Sequence, residues 1–349
     1  MLPPLRFKPL YKARAWGPPP SASLLRGLGK LDLPAERIGE SWEVADLPAT
    51  IEGGQSTVLG GPFDGRTLRE LRELHGEGSN CDELLGIATP APDGGFPLLM
   101  KYLDAAENLS VQVHPDAAYV RAHKDAHLKT EAWIVLAAKP GARVYRGLRA
   151  STTPAEFRAA VEHGRALEHL ESFTVARGDC VYLPSGTCHA LGAGILAAEV
   201  QTPSDTTFRV WDWDRNDPKR PLHLEAAFSC MKFGAAQSDG RPGFIKFDSV
   251  EPMVAGGLAT RRLSSCDFFT VEWIDALSPS EIPIEATGVP EVWLTLAGHA
   301  RWRTSSGVIN APAGTTILRP AHVESGEVRL AENSSILRCF CASPLDRAL

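Results

Sequence analysis

Short apolar segments separated by glycine and proline dominate the hydrophobic pattern of this chain. The 31 Gly and 27 Pro residues make up about one in six of the 349 residues. The segments between them are rich in β-branched, aromatic and aliphatic residues, which favours many short strands over long helices. Strands are predicted over residues 134–137, 142–145, 180–183, 195–201, 208–213, 292–296, 315–318 and 336–341.

Two helices are predicted among these strands. The first follows Thr67-Leu68-Arg69-Glu70, which has the form of a capping box, and ends at Gly76. The second begins at Thr153-Pro154-Ala155-Glu156, with proline at the first helical position, and ends at Gly164. A β-rich chain with a few inserted helices is typical of a sandwich or jelly roll, so we predict a mainly β fold.

A weak internal repeat indicates two such units. Residues 131–136 (EAWIVL) resemble residues 291–296 (EVWLTL), and residues 178–184 (GDCVYLP) resemble residues 314–320 (GTTILRP). We therefore expect a first domain over residues 1–240 with helical insertions and a second, jelly-roll-like domain over residues 241–349.

A polar stripe in the first unit is the strongest candidate for chemistry. In the sequence Leu109-Ser110-Val111-Gln112-Val113-His114, period-two alternation places Ser110, Gln112 and His114 on one face of a strand. An inward-facing Gln and His two residues apart would form a pair of metal ligands. The alternative is an ordinary exposed polar face.

Two further residues extend this pair to a metal-ligand set. Glu131 enters an apolar strand, and His189 follows a tight turn. Together with Gln112 and His114 they form a set of nitrogen and oxygen donors with one negative charge, which suits Zn²⁺ or a similar first-row divalent ion. The neighbouring Cys188 points the opposite way on a strand, so we expect it to be structural.

The second unit lacks part of this set. His114 lies seventeen residues before Glu131, whereas Ile274 lies seventeen residues before Glu291. We therefore expect no metal site in the domain over residues 241–349.

An arginine forms a separate candidate. Alternation places Asp205, Thr207 and Arg209 on a common face, where a carboxylate can orient a guanidinium that stabilises an anion. The alternative is a salt bridge on an edge strand without a functional role.

Composition excludes several classes of protein. The net charge of −6 and the pI near 6.0 argue against nucleic-acid binding. No apolar run approaches the roughly 20 residues that span a bilayer, and the N-terminal residues lack the apolar core of a secretion signal, so we expect a cytoplasmic protein. Seven cysteines without a CxxC pair make a disulfide framework unexpected.

Taken in order, the motifs resemble type I mannose-6-phosphate isomerase in its short bacterial form, over residues from about 11 to 225. The motifs that carry this resemblance are Trp16-Gly17, Gly39-Glu40-Ser41-Trp42-Glu43, Phe96-Pro97-Leu98-Leu99-Met100-Lys101, and residues 109–116, 129–133, 184–192 and 201–215.

The resemblance implies a pair of cupin-type jelly rolls, one zinc ion per chain, and reversible conversion of mannose 6-phosphate and fructose 6-phosphate. Carried over by motif, it implies the metal ligands Gln112, His114, Glu131 and His189 and the catalytic residue Arg209. It also implies that the sugar phosphate is surrounded by Lys101, Ser110, Lys129 and Asp205.

The chemistry of such an isomerase fits these residue types. A divalent metal would stabilise a cis-enediolate as a Lewis acid, and Lys101, Lys129 and Arg209 are candidate cations for the phosphate. Either Lys129, with a lowered pKa, or Glu199 would act as the proton-transfer base. Alternative functions are a non-catalytic sugar-phosphate-binding cupin and an Fe²⁺-dependent cupin oxygenase. The sequence makes no prediction of oligomeric state.

Overall fold

The structure is a computed structural model that describes residues 1–76 and 82–342. The six described cysteines are buried free thiols, and Cys81 lies outside the described residues. Within the described part, no helix is both long and apolar enough to cross a membrane.

Strands make up most of the regular structure. Numbered in chain order over the described residues, they are β1 (Leu5–Arg6), β2 (Leu10–Ala13), β3 (Ile38–Val44), β4 (Leu99–Ala105), β5 (Val111–Val113), β6 (Glu131–Ala138), β7 (Arg143–Leu148), β8 (Leu170–Thr174), β9 (Cys180–Leu183), β10 (His189–Leu191), β11 (Ile195–Gln201), β12 (Phe208–Trp211), β13 (Phe244–Ile245), β14 (Met253–Ala255), β15 (Leu258–Ser265), β16 (Phe269–Ala276), β17 (Ser280–Ile284), β18 (Glu291–Ala297), β19 (His299–Thr304), β20 (Gly307–Pro312), β21 (Thr316–Arg319), β22 (Gly326–Leu330) and β23 (Ser335–Cys341).

The helices of the described residues are short, and all of them lie before strand β14. The α-helices of the described residues are α1 (Leu68–Gly76), α2 (Ala117–Ala122), α3 (Pro154–Glu162) and α4 (Leu224–Cys230). Short 3₁₀ helices span Pro20–Ala22, Leu24–Leu28, Gly61–Phe63, Ala166–His169, Gly234–Gln237 and Phe247–Ser249.

Four antiparallel sheets form two sandwiches. The first sandwich combines a seven-stranded sheet, in the order β13-β9-β6-β11-β4-β3-β2, with a five-stranded sheet, in the order β12-β5-β10-β7-β8. The second combines a seven-stranded sheet, β1-β21-β18-β23-β16-β15-β14, with a four-stranded sheet, β17-β22-β19-β20. The predicted mainly β fold with two cupin-type jelly-roll units is confirmed.

The apolar clusters show how these sheets are layered. One cluster lies inside each sandwich and contains Trp133 in the first and Trp293 in the second. A larger cluster joins the two seven-stranded sheets, with Tyr102 from one sheet and Trp273 from the other. Central strands of the seven-stranded sheets are therefore covered on both faces, and β4 and β11 are buried along their whole length.

The outer face of the five-stranded sheet is covered by helices. Val111 and Val113 of β5 pack in one cluster with Phe157 of α3 and Ala227 of α4. Since successive residues of a strand alternate between faces, this contact turns Ser110, Gln112 and His114 towards the inside of the first sandwich. The predicted orientation of this stripe is confirmed.

Both predicted helices are present, and the capping boxes are formed. Thr67 and Glu70 exchange side-chain and backbone hydrogen bonds at the start of α1, and Thr153 and Glu156 do so at α3. Helices α2 and α4 were not predicted. They have only six and seven residues, too few for a clear amphipathic pattern.

One predicted strand is too long at its C-terminal end. The strand predicted over residues 208–213 ends at Trp211, because Trp213 and Asp214 have positive φ values of 57° and 53°. Residues in this left-handed region leave the extended conformation that a strand requires.

The two predicted domains exchange strands near their limits. Strand β1, at the N-terminus, pairs with β21 of the second sandwich, and β13, which follows the predicted boundary at residue 240, pairs with β9 of the first. The division into residues 1–240 and 241–349 stays a prediction.

Candidate metal centre and active-site cavity

A row of side chains crosses the five-stranded sheet. Gln112 of β5 is the register partner of His189 in β10 and of Arg209 in β12. Residues opposite each other on neighbouring strands project from the same face, and strands are about 4.8 Å apart. The sheet therefore aligns Arg209, Gln112 and His189 along the inside of the first sandwich.

A second set of polar side chains faces this row from the seven-stranded sheet. Glu199 of β11 is the register partner of Lys101 in β4 and of Trp133 in β6. Glu131, two residues before Trp133, lies on the same face of β6. The two sheets thus bring residues from distant parts of the chain into one buried space.

Three of the four predicted metal ligands form a compact buried triad. The ligand atoms of His114, Glu131 and His189 lie within 4.8 Å of one another, and the three residues are at most 1% exposed. Nε2 of His114 is 3.4 Å from Oε2 of Glu131, and Nε2 of His189 is 3.3 Å from Oε1. No other group of three potential ligands of these types occurs among the described residues.

Backbone carbonyls fix the tautomer of both imidazoles. Nδ1 of His189 is 2.8 Å from the carbonyl oxygen of Thr187, and Nδ1 of His114 is 3.2 Å from that of Thr206. Because a carbonyl oxygen only accepts, each Nδ1 carries the proton, which leaves an Nε2 lone pair directed at the triad. This is the arrangement in which metal-binding histidines are usually held.

The triad contains acceptor atoms that have no hydrogen-bond donor. Nε2 of His114 and both carboxylate oxygens of Glu131 are buried without a hydrogen bond among the described residues, although Nζ of Lys129 lies 2.7 Å from Oε2 in an ion pair. Buried acceptors without donors are costly. A bound cation would satisfy all of them at once, so the residues present fit a divalent metal.

Electrostatics keep the triad in the protonation state that a metal requires. Burial, assisted by the positive charge of Lys129, lowers the pKa of His114 to about 3 and keeps the ring neutral. Burial alone would raise the pKa of Glu131, but Lys129 and His114 outweigh it and hold that pKa well below its usual range. His114 and Glu131 together therefore carry one negative charge at neutral pH.

Gln112 lies beside the triad but does not present its oxygen to it. Nε2 of Gln112 donates to Nε2 of His189 at 3.2 Å, while Oε1 accepts from the hydroxyl of Ser110 at 3.2 Å. Rotation of the amide by 180° would exchange the two atoms. The position fits a fourth ligand, and the role of Gln112 as one stays a prediction.

Two lysines and two glutamates form a buried network next to the triad. Lys129 contacts Glu131 and lies 3.8 Å from Glu199, and Nζ of Lys101 lies 3.0 Å from Oε2 of Glu199. The indole of Trp133 donates to Oε1 of Glu199 at 3.0 Å.

The pKa shifts in this network separate the two candidate bases. Burial alone would lower the pKa of Lys129, but Glu131 and Glu199 reverse this effect and raise it. The predicted lowering of the Lys129 pKa is therefore not found, because its two carboxylate neighbours stabilise the ammonium. Burial raises the pKa of Glu199 more than Lys101 and Lys129 lower it.

Arg209 is not oriented in the way that alternation suggested. Asp205, Thr207 and Arg209 line the same cavity, but no hydrogen bond or ion pair joins Asp205 to Arg209 among the described residues. Asp205 is exposed, and Nη1 of Arg209 donates instead to the carbonyl oxygen of Pro221 at 2.8 Å.

The polar residues surround a cavity of about 310 Å³ between the two sheets. Of the predicted substrate-binding and catalytic residues, Lys101, Ser110, Lys129, Asp205 and Arg209 all line it. Gln112 and Lys129 connect it to the triad through their contacts with His189 and Glu131. The space is of a size for a small polar molecule.

Sequence reasoning gave no role to several residues of the cavity wall. Glu40 accepts from Nε of Arg14 and from the indole of Trp42, both at 2.7 Å, and the ammonium of Lys101 lies 5.1 Å from the Trp42 ring. Lys101 and Arg14 outweigh the effect of burial and lower the pKa of Glu40 to about 2. The sequence could have identified Glu40 and Trp42 as cavity residues, because alternation in the motif Gly39-Glu40-Ser41-Trp42-Glu43 places both on one face of a strand.

The amino-acid sequence of this chain is similar to those of known mannose-6-phosphate isomerases. Residues 5–138 match a sequence model of the type I phosphomannose isomerase catalytic domain. The chain is 37% identical over 272 residues to mannose-6-phosphate isomerase ManA of Bacillus subtilis (strain 168), which covers 77% of this chain and 78% of that protein. It is 34% identical over 324 residues to the probable mannose-6-phosphate isomerase GmuF of the same organism, covering 91% and 94%.

The chain belongs to the mannose-6-phosphate isomerase family. A solved structure of the mannose 6-phosphate isomerase from Bacillus subtilis agrees with this assignment: it matches with a TM-score of 0.81 and 27% identity, and the match covers 97% of this chain and 99% of that one. Type I members of this family are metal-dependent, and the buried triad of His114, Glu131 and His189 has the composition that such a metal needs.

Proposed function

We propose that this chain catalyses the reversible isomerisation of mannose 6-phosphate and fructose 6-phosphate. The observation that carries the proposal is the triad of His114, Glu131 and His189, buried next to a cavity that is lined by lysine and arginine. An aldose-ketose isomerase needs both parts, because one stabilises negative charge on the sugar oxygens and the other binds a phosphate.

We propose Zn²⁺ as the metal, with one ion per chain. His114, Glu131 and His189 would hold it, with Gln112 as a fourth ligand after rotation of its amide. Two atoms bound to one tetrahedral ion at about 2.0 to 2.1 Å lie roughly 3.4 Å apart, close to the 3.3 and 3.4 Å separations of the histidine and carboxylate atoms. A divalent ion here supplies Lewis-acid stabilisation of the enediolate oxygens, typically worth several kcal/mol.

Proton transfer between C1 and C2 requires a base that reaches the cavity. We assign this role to Glu199, because its carboxylate lines the cavity, burial raises its pKa, and Oε2 is held by Lys101 at 3.0 Å in an ion pair. Lys129 acts as a catalytic residue in its charged form, since Glu131 and Glu199 keep it protonated. Its ammonium donates to substrate oxygens as negative charge develops on them.

The substrate is held at both ends. Arg209 carries a fixed positive charge at the cavity and binds the developing anion or the phosphate. Lys101, Ser110 and Asp205 line the same wall and offer one ammonium, one hydroxyl and one carboxylate to the phosphate and sugar hydroxyls. A cytoplasmic location is part of this proposal.

Removal and return of the metal test the proposal. Protein treated with a chelator should lose conversion of mannose 6-phosphate, followed by a coupled assay of fructose 6-phosphate, and should regain it with one equivalent of Zn²⁺ per chain. Metal-free protein that keeps full activity contradicts the proposal. Metal-loaded protein that binds the sugar phosphate without turnover favours a binding cupin, and iron with substrate-dependent oxygen uptake favours an oxygenase.

A further inference from the structure

Arg209 lies on a strand edge that no other strand covers. Strand β12 is the last strand of the five-stranded sheet and pairs only with β5 among the described residues. The N–H and C=O groups on its outer edge would therefore face solvent, unless another part of the chain pairs with them.

The chain segment before α4 fills this position. The backbone N–H of His223 donates to the carbonyl oxygen of Arg209 at 2.8 Å, and the N–H of Arg209 donates to Nδ1 of His223 at 3.1 Å. His223 thus replaces a neighbouring strand, with its own N–H as the donor and its imidazole as the acceptor. Two residues earlier, the carbonyl oxygen of Pro221 accepts from Nη1 of Arg209 at 2.8 Å.

The contact between the imidazole of His223 and the N–H of Arg209 requires that Nδ1 is unprotonated. A backbone N–H can only donate, so Nδ1 accepts and carries no proton. Burial and the positive charge of Arg209 both lower the pKa of His223, which favours the neutral ring.

Helix α4, which follows His223, does not explain why a histidine occupies this position. His223 occupies the N-cap of α4, where serine, threonine, aspartate or asparagine is preferred. Its side chain makes no capping hydrogen bond to the helix, because Nδ1 is turned towards Arg209. The histidine therefore serves the strand edge and not the helix.

The same segment holds Arg209 at two points: His223 bonds to its backbone, and the carbonyl oxygen of Pro221 accepts from its guanidinium. Nε of Arg209 is buried without a hydrogen-bond partner, and within the described residues no carboxylate forms an ion pair with this side chain. The charge remains available to the cavity, while its direction is set by the carbonyl of Pro221.

We propose that His223, together with the carbonyl group of Pro221, is a positioning residue that holds Arg209 towards the substrate cavity. The inference rests on the proposed isomerase function and on the role of Arg209 in it. His223 itself does not line the cavity, so it acts only through Arg209.

Two substitutions of similar size separate the acceptor role from simple packing. His223→Asn places an amide oxygen close to the position of Nδ1, whereas His223→Leu has no acceptor. We expect H223L to lower kcat for mannose 6-phosphate by about 10- to 100-fold, since small displacements of catalytic groups have effects of this size. H223N should stay within about threefold of the unsubstituted chain, and the metal content should not change in either. The exposed His163, changed to Leu, is the matched control.

A double-mutant cycle with Arg209→Ala tests whether His223 acts through Arg209. If His223 acts through Arg209, the H223L substitution should lower the activity of the R209A protein by less than about twofold. The inference alone is overturned if the unsubstituted chain is active and H223L equals it, if H223N is no better than H223L, or if the two losses multiply. An unsubstituted, metal-loaded chain without turnover overturns the proposed function and this inference with it.

Discussion

The exchange of Glu199 for glutamine should separate catalysis from stability in this protein. The side chain keeps its size, so Trp133 can still donate to an oxygen at 199. What is lost is the negative charge beside Lys101 and Lys129 and the capacity to accept a proton from carbon. We expect the Glu199→Gln protein to fold, to retain its metal at the separate triad, and to turn over very slowly.

Two opposing terms set the effect on stability. Burial of the charged carboxylate is the largest cause of the raised pKa of Glu199, so at neutral pH, above the unfolded pKa, its desolvation opposes folding, and glutamine relieves that desolvation. Against this, Lys101 loses the carboxylate 3.0 Å away, and removal of one partner of a buried pair typically costs about 3–5 kcal/mol. The relieved desolvation is also several kcal/mol. We expect the terms to cancel to within about 2 kcal/mol of unfolding free energy.

The Glu199→Gln substitution has no comparable pair of opposing effects on catalytic activity. General acid-base catalysis contributes roughly 10²- to 10⁴-fold, so kcat should fall by about that factor in the E199Q protein. In the unsubstituted chain the base must be ionised, and activity is therefore lost as the pH falls through the raised pKa of Glu199, above the 4.5 of an ordinary glutamate. This acid limb should be absent from the residual activity of E199Q.

A coupled assay of fructose 6-phosphate formation between pH 4.5 and 9, with urea denaturation and metal analysis on the same samples, measures all three quantities. The assignment of Glu199 as the base is refuted if E199Q retains its metal and more than a tenth of kcat. It is also refuted if the acid limb is unchanged in that variant. A large loss of unfolding free energy would show that the two terms do not cancel.

Two further substitutions test the metal centre and a buried ion pair of strand β3. His114→Ala removes a ligand atom, so the zinc bound per chain, measured by elemental analysis, should fall below about a tenth of that in the exposed-histidine control His163→Ala; a retained full equivalent would show that the triad is not the site. Glu43→Gln leaves the buried ammonium of Lys30 without its carboxylate, 2.7 Å away, and should lower the unfolding free energy by about 3–5 kcal/mol. The exposed Glu36→Gln should change it by less than about 0.5 kcal/mol, and equal stability of the two variants would exclude a structural role for this pair.

The sequence predicts those features that follow from a strict period. In β5, alternation alone places Ser110, Gln112 and His114 on one face, and the burial of Val111 and Val113 under the helices agrees with it. The capping boxes of α1 and α3 are equally local, because each lies within four consecutive residues. Such predictions need no knowledge of what packs against the element.

Features set by tertiary contacts could not be predicted in this way. Strands β4 and β11 are buried on both faces, so their apolar residues do not alternate with polar ones and the pattern cannot assign their orientation. The partner of Arg209 is a carbonyl group at Pro221, and no side-chain pattern identifies a backbone acceptor. The pKa of Lys129 depends on Glu199, which lies seventy residues away and reaches it only through the pairing of β6 with β11.

The internal repeat allows the carboxylate of the proposed metal site to be compared with a structural carboxylate at the equivalent position. Glu131 and Glu291 are the first residues of the equivalent strands β6 and β18. The register partner of each is the last residue of a neighbouring strand, just before the proline of the repeat: Leu183 for Glu131 and Arg319 for Glu291. Arg319 forms a buried ion pair with Glu291, which also accepts from the indole of Trp293. Leucine adds no cation at the equivalent position of Glu131, whose only ion pair with a lysine or arginine among the described residues is with Lys129. The cross-strand position is thus apolar in the unit that holds the triad and cationic in the unit where Glu291 is held in an ion pair.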